Sequence, residues 1–161
     1  VSKEPWARNT LFVFLGDHGK LLGQTDAELP ESFNHIPLIF HASWLKPAER
    51  TQFAGQVDVA PTILGLLRLP YVQNNFGLDL LHDAPRPAAF YTADKMIAAR
   101  NAHKLFLYNA ELKQTYCYNI APDGRPVPTS FSPAFAPLRQ YVFALLQTTE
   151  YMVQHGMTRT R

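Results

Sequence analysis

Two short apolar runs in the first third of the chain predict buried strands. The first run, Leu11–Leu15, contains aromatic and branched residues and stops at Gly16. Such runs, bounded by glycine, are typical of strands that are buried on both faces of a parallel sheet. The second run, Leu38–Phe40, follows Pro37, and a proline is tolerated where a strand begins. The pattern therefore predicts an α/β fold with buried strands covered by helices.

Apolar residues at helical spacing mark two further segments. After Asp58 they line one face of 59–67, and Pro61 lies in the first turn, where a helix tolerates proline. From 138 to 155 the same spacing returns, and Gly156 suits the position that follows a helix end. We expect a short packing helix and a terminal amphipathic helix.

Short aromatic and branched runs between these helices alternate with polar clusters at the spacing of hairpins. They predict antiparallel strands at 88–92, 96–100, 103–108 and 114–119, which the terminal helix covers. The proline-rich stretch 121–137 predicts a surface linker. We expect 1–87 to be part of an α/β core and 88–161 to be a small antiparallel sheet with a closing helix.

The aromatic side chains of the predicted antiparallel strands allow two interpretations. They are strand-forming residues with one face in a core, or they form a platform that stacks on bases or sugars. The second interpretation makes the chain a non-catalytic module that binds a glycan or a protein partner. The residues concerned are Tyr91, Phe106, Tyr108, Tyr116 and Tyr118.

Composition excludes several classes of protein. With 161 residues, 47% of them hydrophobic, the chain is long enough for a real core. The net charge is +2 and the basic residues are scattered, which argues against nucleic acid as a partner. Apolar runs are far shorter than the ~20 residues that cross a bilayer. The single cysteine, Cys117, excludes an internal disulfide and a zinc site with several thiolates.

Asp17 and His18 stand where the first predicted strand ends, between Gly16 and Gly19. Ligands of open α/β sheets lie beyond the carboxyl ends of strands, and glycines permit a positive φ or a close approach there. A carboxylate and a neutral imidazole are good ligands of a divalent metal, although a catalytic zinc needs a third protein ligand. Alternatively, Asp17 caps a turn and His18 is an ordinary loop residue.

His35 precedes the second predicted strand. Antiparallel pairing or a looped return would bring it close to Asp17, whereas parallel pairing would separate them, and a loop histidine without a role is the alternative. The polar stretch 20–33 between them is interpreted as an active-site loop. Asp58 could contact substrate or metal, but helix capping is enough to explain it.

Four motifs, in order along the chain, resemble the C-terminal part of sulfatase-like enzymes of the alkaline phosphatase superfamily. They are Gly-Asp-His-Gly at 16–19, His-Ile-Pro-Leu-Ile at 35–39, the segment 57–67 and Phe-Gly-Leu-Asp-Leu at 76–80. The resemblance is greatest to the envelope branch that includes lipoteichoic acid synthases, phosphoglycerol transferases and phosphoethanolamine transferases. It implies the C-terminal part of an alkaline-phosphatase-like sandwich.

The resemblance also implies a function. Asp17 and His18 match the family's metal-binding pair, for zinc, manganese, calcium or magnesium, and His35 matches a position near the substrate. The implied reaction is hydrolysis or transfer of phosphate or sulfate esters, envelope phosphoglycerol among them, through a covalent intermediate.

In this family the nucleophile and a further acidic ligand lie in an N-terminal half to which this chain has no counterpart. We therefore expect the chain to be the C-terminal portion of a larger enzyme and inactive alone, with that missing half as its partner. The implied location is the periplasmic or extracellular face of the cell envelope, with membrane attachment only through a segment outside this chain.

Overall fold

The computed structural model describes residues 3–20, 27–93 and 95–158. The chain divides into two compact units, 1–51 and 52–161. The division into 1–87 and 88–161 that we expect from the sequence stays a prediction. None of the helices in the described parts is both long and apolar enough to cross a membrane.

The first unit contains a two-stranded antiparallel sheet. Its elements are a 3-10 helix Pro5–Asn9, strand β1 Phe12–Leu15, helix α1 Glu31–Asn34 and strand β2 Leu38–His41. Phe12 pairs with His41, and Leu15 pairs with Leu38.

Strand β1 differs from the expected strand that is buried on both faces and belongs to a parallel sheet. Its partner among the described residues, β2, is antiparallel. Phe14 and Ile39, which face each other across the pair, are both 55% exposed. A four-residue apolar run favours a strand, but it does not determine the strand's direction or its covering.

The second unit contains a five-stranded antiparallel sheet in which each strand pairs with the next along the chain. Its elements are a 3-10 helix Gln56–Asp58, α2 Val59–Leu66, β3 Ala89–Ala93, β4 Met96–Arg100, β5 Lys104–Asn109, β6 Gln114–Ile120, β7 Pro126–Thr129, a 3-10 helix Pro133–Phe135 and α3 Ala136–Gln154. Both predicted helices and all four predicted strands are confirmed.

Strand β7 lies within the predicted linker, and it was missed because prolines usually argue against a strand. The sheet tolerates Pro126 and Pro128 because β7 is an edge strand, which pairs with β6 and with no other strand in the described part of the chain.

Helix α3 covers one face of this sheet, as the sequence predicts. Phe135, Leu138 and Val142 form a buried cluster with Phe106 and Cys117 of the sheet. The other face is also covered, since Ala98, Leu105 and Leu107 are completely buried.

The five aromatic residues of the predicted platform are not exposed. Phe106 and Tyr118 are buried, and Tyr91, Tyr108 and Tyr116 are half-buried. Their burial favours the interpretation as strand-forming core residues.

Asp58 holds the motif 76–80 against the start of α2 instead of capping that helix with its side chain. Its carboxylate accepts hydrogen bonds from the backbone N–H groups of Gly55, at 2.7 Å, and Leu78, at 2.8 Å. The same carboxylate forms an ion pair with Arg86. These bonds account for the burial of Asp58, because a buried carboxylate is stable only when its oxygens are paired.

Candidate metal centre

The antiparallel pairing of β1 and β2 brings the segment after β1 against the segment before β2. A Cβ atom on Gly16 would lie 3.3 Å from Cγ2 of Ile36. The backbone N–H of Gly19 donates a hydrogen bond of 2.8 Å to the carbonyl of Phe33. His35, between Phe33 and Ile36, is therefore at the same end of the sheet as Asp17, which is the antiparallel case considered for the sequence.

Gly19 is required by this close approach. A Cβ atom at this position would overlap the carbonyl oxygen of Ser32 and would also lie 3.4 Å from Cα of Phe33. The φ angle of Gly19 is not in the left-handed region, so its lack of a side chain matters more than its conformational freedom.

The His18 ring is held by two contacts. Its Nδ1 lies 2.7 Å from the carbonyl oxygen of Gly19. A carbonyl oxygen can only accept, so Nδ1 carries the hydrogen, and in the neutral ring Nε2 keeps its lone pair. The ring also stacks on Phe33, with centroids 4.8 Å apart and an angle of 19° between the planes. Nε2 is therefore the atom of His18 that can coordinate a metal.

Asp17 presents its carboxylate to solvent beside this ring. The side chains of Asp17 and His18 are 90% and 56% exposed. Oδ1 of Asp17 accepts a 2.9 Å hydrogen bond from the backbone N–H of His18. That bond lowers the pKa of Asp17, and His18 lowers it further when its ring carries a positive charge, so Asp17 is a carboxylate at neutral pH.

The two side chains form half of a metal site. Asp17 Oδ2 lies 3.8 Å from His18 Nε2. Zinc binds carboxylate oxygen and imidazole nitrogen at about 2.0–2.2 Å, so both atoms are within reach of one ion. The donor types and their separation fit a divalent metal. In 3–20, 27–93 and 95–158, however, no group of three or more possible ligands is present.

The site lies in a part of the chain that matches a known family. Residues 2–69, less than half of the chain, match the sulfatase family model. A solved structure of a protein in the alkaline phosphatase superfamily from Vibrio parahaemolyticus matches with a TM-score of 0.80 and 17% sequence identity. The chain therefore has part of the fold of that protein. No curated protein matches this sequence.

The match covers 99% of this chain but only 39% of the Vibrio protein. The alkaline phosphatase fold predicted from the four motifs is confirmed. The sulfatase match contains Asp17, His18 and His35, but it does not test their individual roles.

His35 is an exposed residue that follows α1, and its backbone N–H donates to the carbonyl of Glu31 at 2.6 Å. Its position beside the Asp17–His18 turn is compatible with the predicted contact to substrate. Residues 21–26 of the predicted active-site loop lie outside the described part of the chain.

Phe33 is the residue of this site that the sequence interpretation missed. The stretch 20–33 reads as a polar loop, yet its last residue stacks on His18. The available signal was one aromatic residue next to the motif that contains His35.

Proposed function

We propose that this chain contributes part of the metal centre of a sulfatase-like hydrolase or transferase that acts on phosphate or sulfate esters. The observation that carries the proposal is the 3.8 Å separation between Asp17 Oδ2 and His18 Nε2 on an exposed turn. The sulfatase match over 2–69 and the alkaline phosphatase fold support it.

Asp17 and His18 have different tasks in this proposal. Asp17 contributes a negatively charged oxygen, and the backbone N–H of His18 further favours the ionised form by lowering the pKa of Asp17. His18 contributes Nε2, because Gly19 holds the Nδ1 hydrogen. A bound divalent ion would act as a Lewis acid that lowers the pKa of a nucleophile and neutralises negative charge on the transferring group. The donor set is compatible with zinc, manganese, calcium or magnesium.

His35 would bind the ester group of the substrate beside this pair. A histidine suits that task because its ring can donate a hydrogen bond to an anionic oxygen. We propose phosphate esters as the main substrates, and envelope phosphoglycerol or a related group in particular. Support for this choice comes from the resemblance of the Asp17–His18 loop to the phosphoglycerol transferase branch.

The nucleophile and a further acidic ligand would come from residues outside this chain. The Vibrio structure is more than twice as long as the part that this chain matches, which leaves room for both groups in a larger enzyme. In this proposal the missing N-terminal half is the chain's partner, the reaction passes through a covalent intermediate, and the enzyme works at the outer side of the cell envelope. Any membrane attachment would lie outside this chain.

Metal binding by this chain tests the first part of the proposal. Zinc, manganese, calcium and magnesium would be titrated separately into the chain while bound metal is measured. Because the described residues supply only two ligands and water must supply the others, we expect one weak binding site for at least one of these ions, weakened at least tenfold further by Asp17→Asn and by His18→Gln.

Two variants provide matched controls. Asp123 is an exposed aspartate that, like Asp17, accepts a backbone hydrogen bond and has a lowered pKa. His155 is an exposed histidine whose Nδ1 lies 2.8 Å from a backbone carbonyl, as in His18. We expect Asp123→Asn and His155→Gln to bind metal like the unchanged chain. Equal losses in all four variants would contradict a site at Asp17 and His18.

The reaction is tested with the longer enzyme and with p-nitrophenyl phosphate, p-nitrophenyl sulfate and a phosphoglycerol ester as substrates. We expect Asp17→Asn and His18→Gln to abolish turnover, and His35→Gln to raise KM more than it lowers kcat. Turnover of these esters by the 161-residue chain would contradict a nucleophile outside it.

A further inference from the structure

We infer that Phe33 is a positioning residue that fixes the plane of the His18 ring for metal binding. The inference rests on the proposed function of His18 as a metal ligand. It concerns Phe33 itself, which carries no chemical group that could bind metal and lies outside the Asp-His pair.

The hydrogen bond from His18 to Gly19 holds only one atom of the imidazole ring, Nδ1. The Nδ1–H group points to the Gly19 carbonyl. The ring rotates about the Cβ–Cγ bond whenever this single hydrogen bond opens, and because the His18 side chain is 56% exposed, water can replace the Gly19 carbonyl as its partner. A second contact is needed to fix the ring plane.

Phe33 provides that contact. Its ring and the imidazole are nearly parallel, at 19°, with centroids 4.8 Å apart. This stacked arrangement is one of the two that pairs of aromatic rings prefer, the other being edge-to-face. Stacking therefore fixes the plane of the ring, in which the Nε2 lone pair lies, while Nε2 is 3.8 Å from Asp17 Oδ2.

The backbone of Phe33 is itself fixed by hydrogen bonds. Phe33 lies in α1, a single helical turn in which Asn34 Nδ2 donates a 3.0 Å hydrogen bond to the Pro30 carbonyl. The Phe33 carbonyl accepts the N–H of Gly19, and the Gly19 carbonyl accepts Nδ1–H of His18. Gly19 thus forms hydrogen bonds with both stacked residues and holds the Phe33 backbone next to His18.

The chain offers a second histidine with the same kind of ring contacts. His155 stacks on Tyr151 with centroids 4.0 Å apart, and its Nδ1 lies 2.8 Å from the Tyr151 carbonyl. Tyr151→Leu is therefore a matched control for Phe33→Leu. Phe33→Tyr keeps an aromatic ring at this position, so this variant should keep the His18 ring in place.

The experiment has one readout that needs no metal. Long-range ¹H–¹⁵N NMR spectra, recorded at one pH at which imidazoles are neutral, report which ring nitrogen of His18 carries the hydrogen. We expect a single Nδ1–H tautomer in the unchanged chain and in Phe33→Tyr, and a mixture of tautomers in Phe33→Leu. Tyr151→Leu should leave the His18 signals unchanged.

The second readout is the dissociation constant of zinc, measured by competition with a chromophoric chelator. We expect Phe33→Leu to weaken zinc binding about tenfold, as is common when a residue that orients a ligand is lost. Phe33→Tyr should bind zinc like the unchanged chain. Tyr151→Leu should have no effect.

The possible outcomes separate this inference from the proposed function. If Phe33→Leu keeps both the single tautomer and the zinc affinity, the positioning role is wrong and the metal site stands. If the tautomer changes but no variant, nor the unchanged chain, binds zinc or another divalent ion, the metal site fails while Phe33 still orients His18. Equal weakening by Phe33→Tyr and Phe33→Leu would also contradict the inference, because stacking would then not be the cause.

Discussion

Arg86 and Asp58 form an ion pair in which 4% and 0% of the two side chains are exposed. The Arg86 guanidinium also donates to the Phe76 carbonyl at 3.3 Å and lies over the Phe90 ring, 5.1 Å from its centroid. Arg86 therefore joins the start of α2, the motif 76–80 and strand β3 within the second unit.

Removing the charge of Arg86 should destabilise the chain strongly. Arg86→Met keeps much of the side-chain volume but leaves the Asp58 carboxylate buried without its counter-ion. Losing one partner of a buried pair costs about 3–5 kcal/mol. Urea unfolding followed by circular dichroism measures the change. Arg125→Met, which removes an exposed pair with Asp123, is the control and should hardly move the midpoint. Equal shifts in both variants would contradict a structural role for the buried pair.

Gly65→Ala should destabilise the chain, although alanine is the better helix former. A Cβ atom at Gly65 would overlap Oδ2 of Asp79 and lie 2.7 Å from its Cγ. Asp79 cannot move away easily, because its carboxylate accepts the Leu81 N–H at 3.0 Å and contacts His82 Nδ1 at 2.7 Å. Overpacking of this kind costs about 1–3 kcal/mol, more than the 0.5–1 kcal/mol gained from helix propensity. Urea unfolding of the variant measures the balance.

A double-mutant cycle identifies the cause. If the overlap with Asp79 is responsible, Gly65→Ala should cost less in a chain that already carries Asp79→Ala. An unchanged cost in that background would show that another contact is involved.

Gly19→Ala should weaken metal binding without unfolding the chain. The new Cβ atom would overlap the Ser32 carbonyl oxygen, so the His18 turn and the Phe33 segment must separate. We expect at least a tenfold loss of zinc affinity, measured by chelator competition. Gly55→Ala is the control, because a Cβ atom there meets only Val57 Cγ2 at 3.8 Å. Unchanged zinc affinity in Gly19→Ala would show that the close approach is not needed for binding.

The second unit could be predicted from the sequence because its strands pair with their neighbours along the chain. The alternation of apolar runs and polar turns is local, and it located β3 to β6 to within one or two residues. The partners of Asp58 could not be predicted in this way. Leu78 and Arg86 are 20 and 28 residues away from Asp58 in the sequence. Helix capping alone would explain an aspartate at this position, so the sequence gives no reason to expect these partners.

The candidate site shows the same limit. The Asp17–His18 pair could be found because two adjacent residues carry both donor types. The stacking of His18 on Phe33 depends on the path of the chain between β1 and β2. No local sequence pattern predicts that β2 runs antiparallel to β1, or that Gly19 lies against Ser32 and Phe33. The exposure of Phe14 and Ile39 likewise depends on the antiparallel pairing of β1 with β2, which places these two residues opposite each other.

The buried thiol of Cys117 should make stability fall at alkaline pH. Burial raises the pKa of Cys117, and the nearby Lys104 charge opposes the shift without cancelling it. Because the pKa of Cys117 is higher in the folded chain, the protonated thiol contributes to the free energy of unfolding. This contribution is fully present below the unfolded pKa of about 8.5 and is lost as the pH rises through the folded pKa. Unfolding free energies from pH 7 to 10 should therefore fall more steeply for the unchanged chain than for Cys117→Ala.

Alkylation gives a second measurement on the same thiol. Cys117 should react with iodoacetamide much more slowly in the folded chain than in urea, since only the accessible thiolate is nucleophilic. Fast reaction under native conditions would contradict its burial.

The prolines of β7 determine what the five-stranded sheet can do at that edge. Ile120, which pairs with Pro126, donates its N–H to the carbonyl of His103, the residue before β5, and so away from β7. In an antiparallel ladder, the backbone groups of the residue opposite Ile120, Pro126, then also point away from the partner strand. The same holds for Pro128, two positions later. The outward positions 126 and 128 are thus both occupied by residues without an N–H group. An added strand would find no donors there, so this edge resists strand addition and edge-to-edge aggregation without needing a covering element.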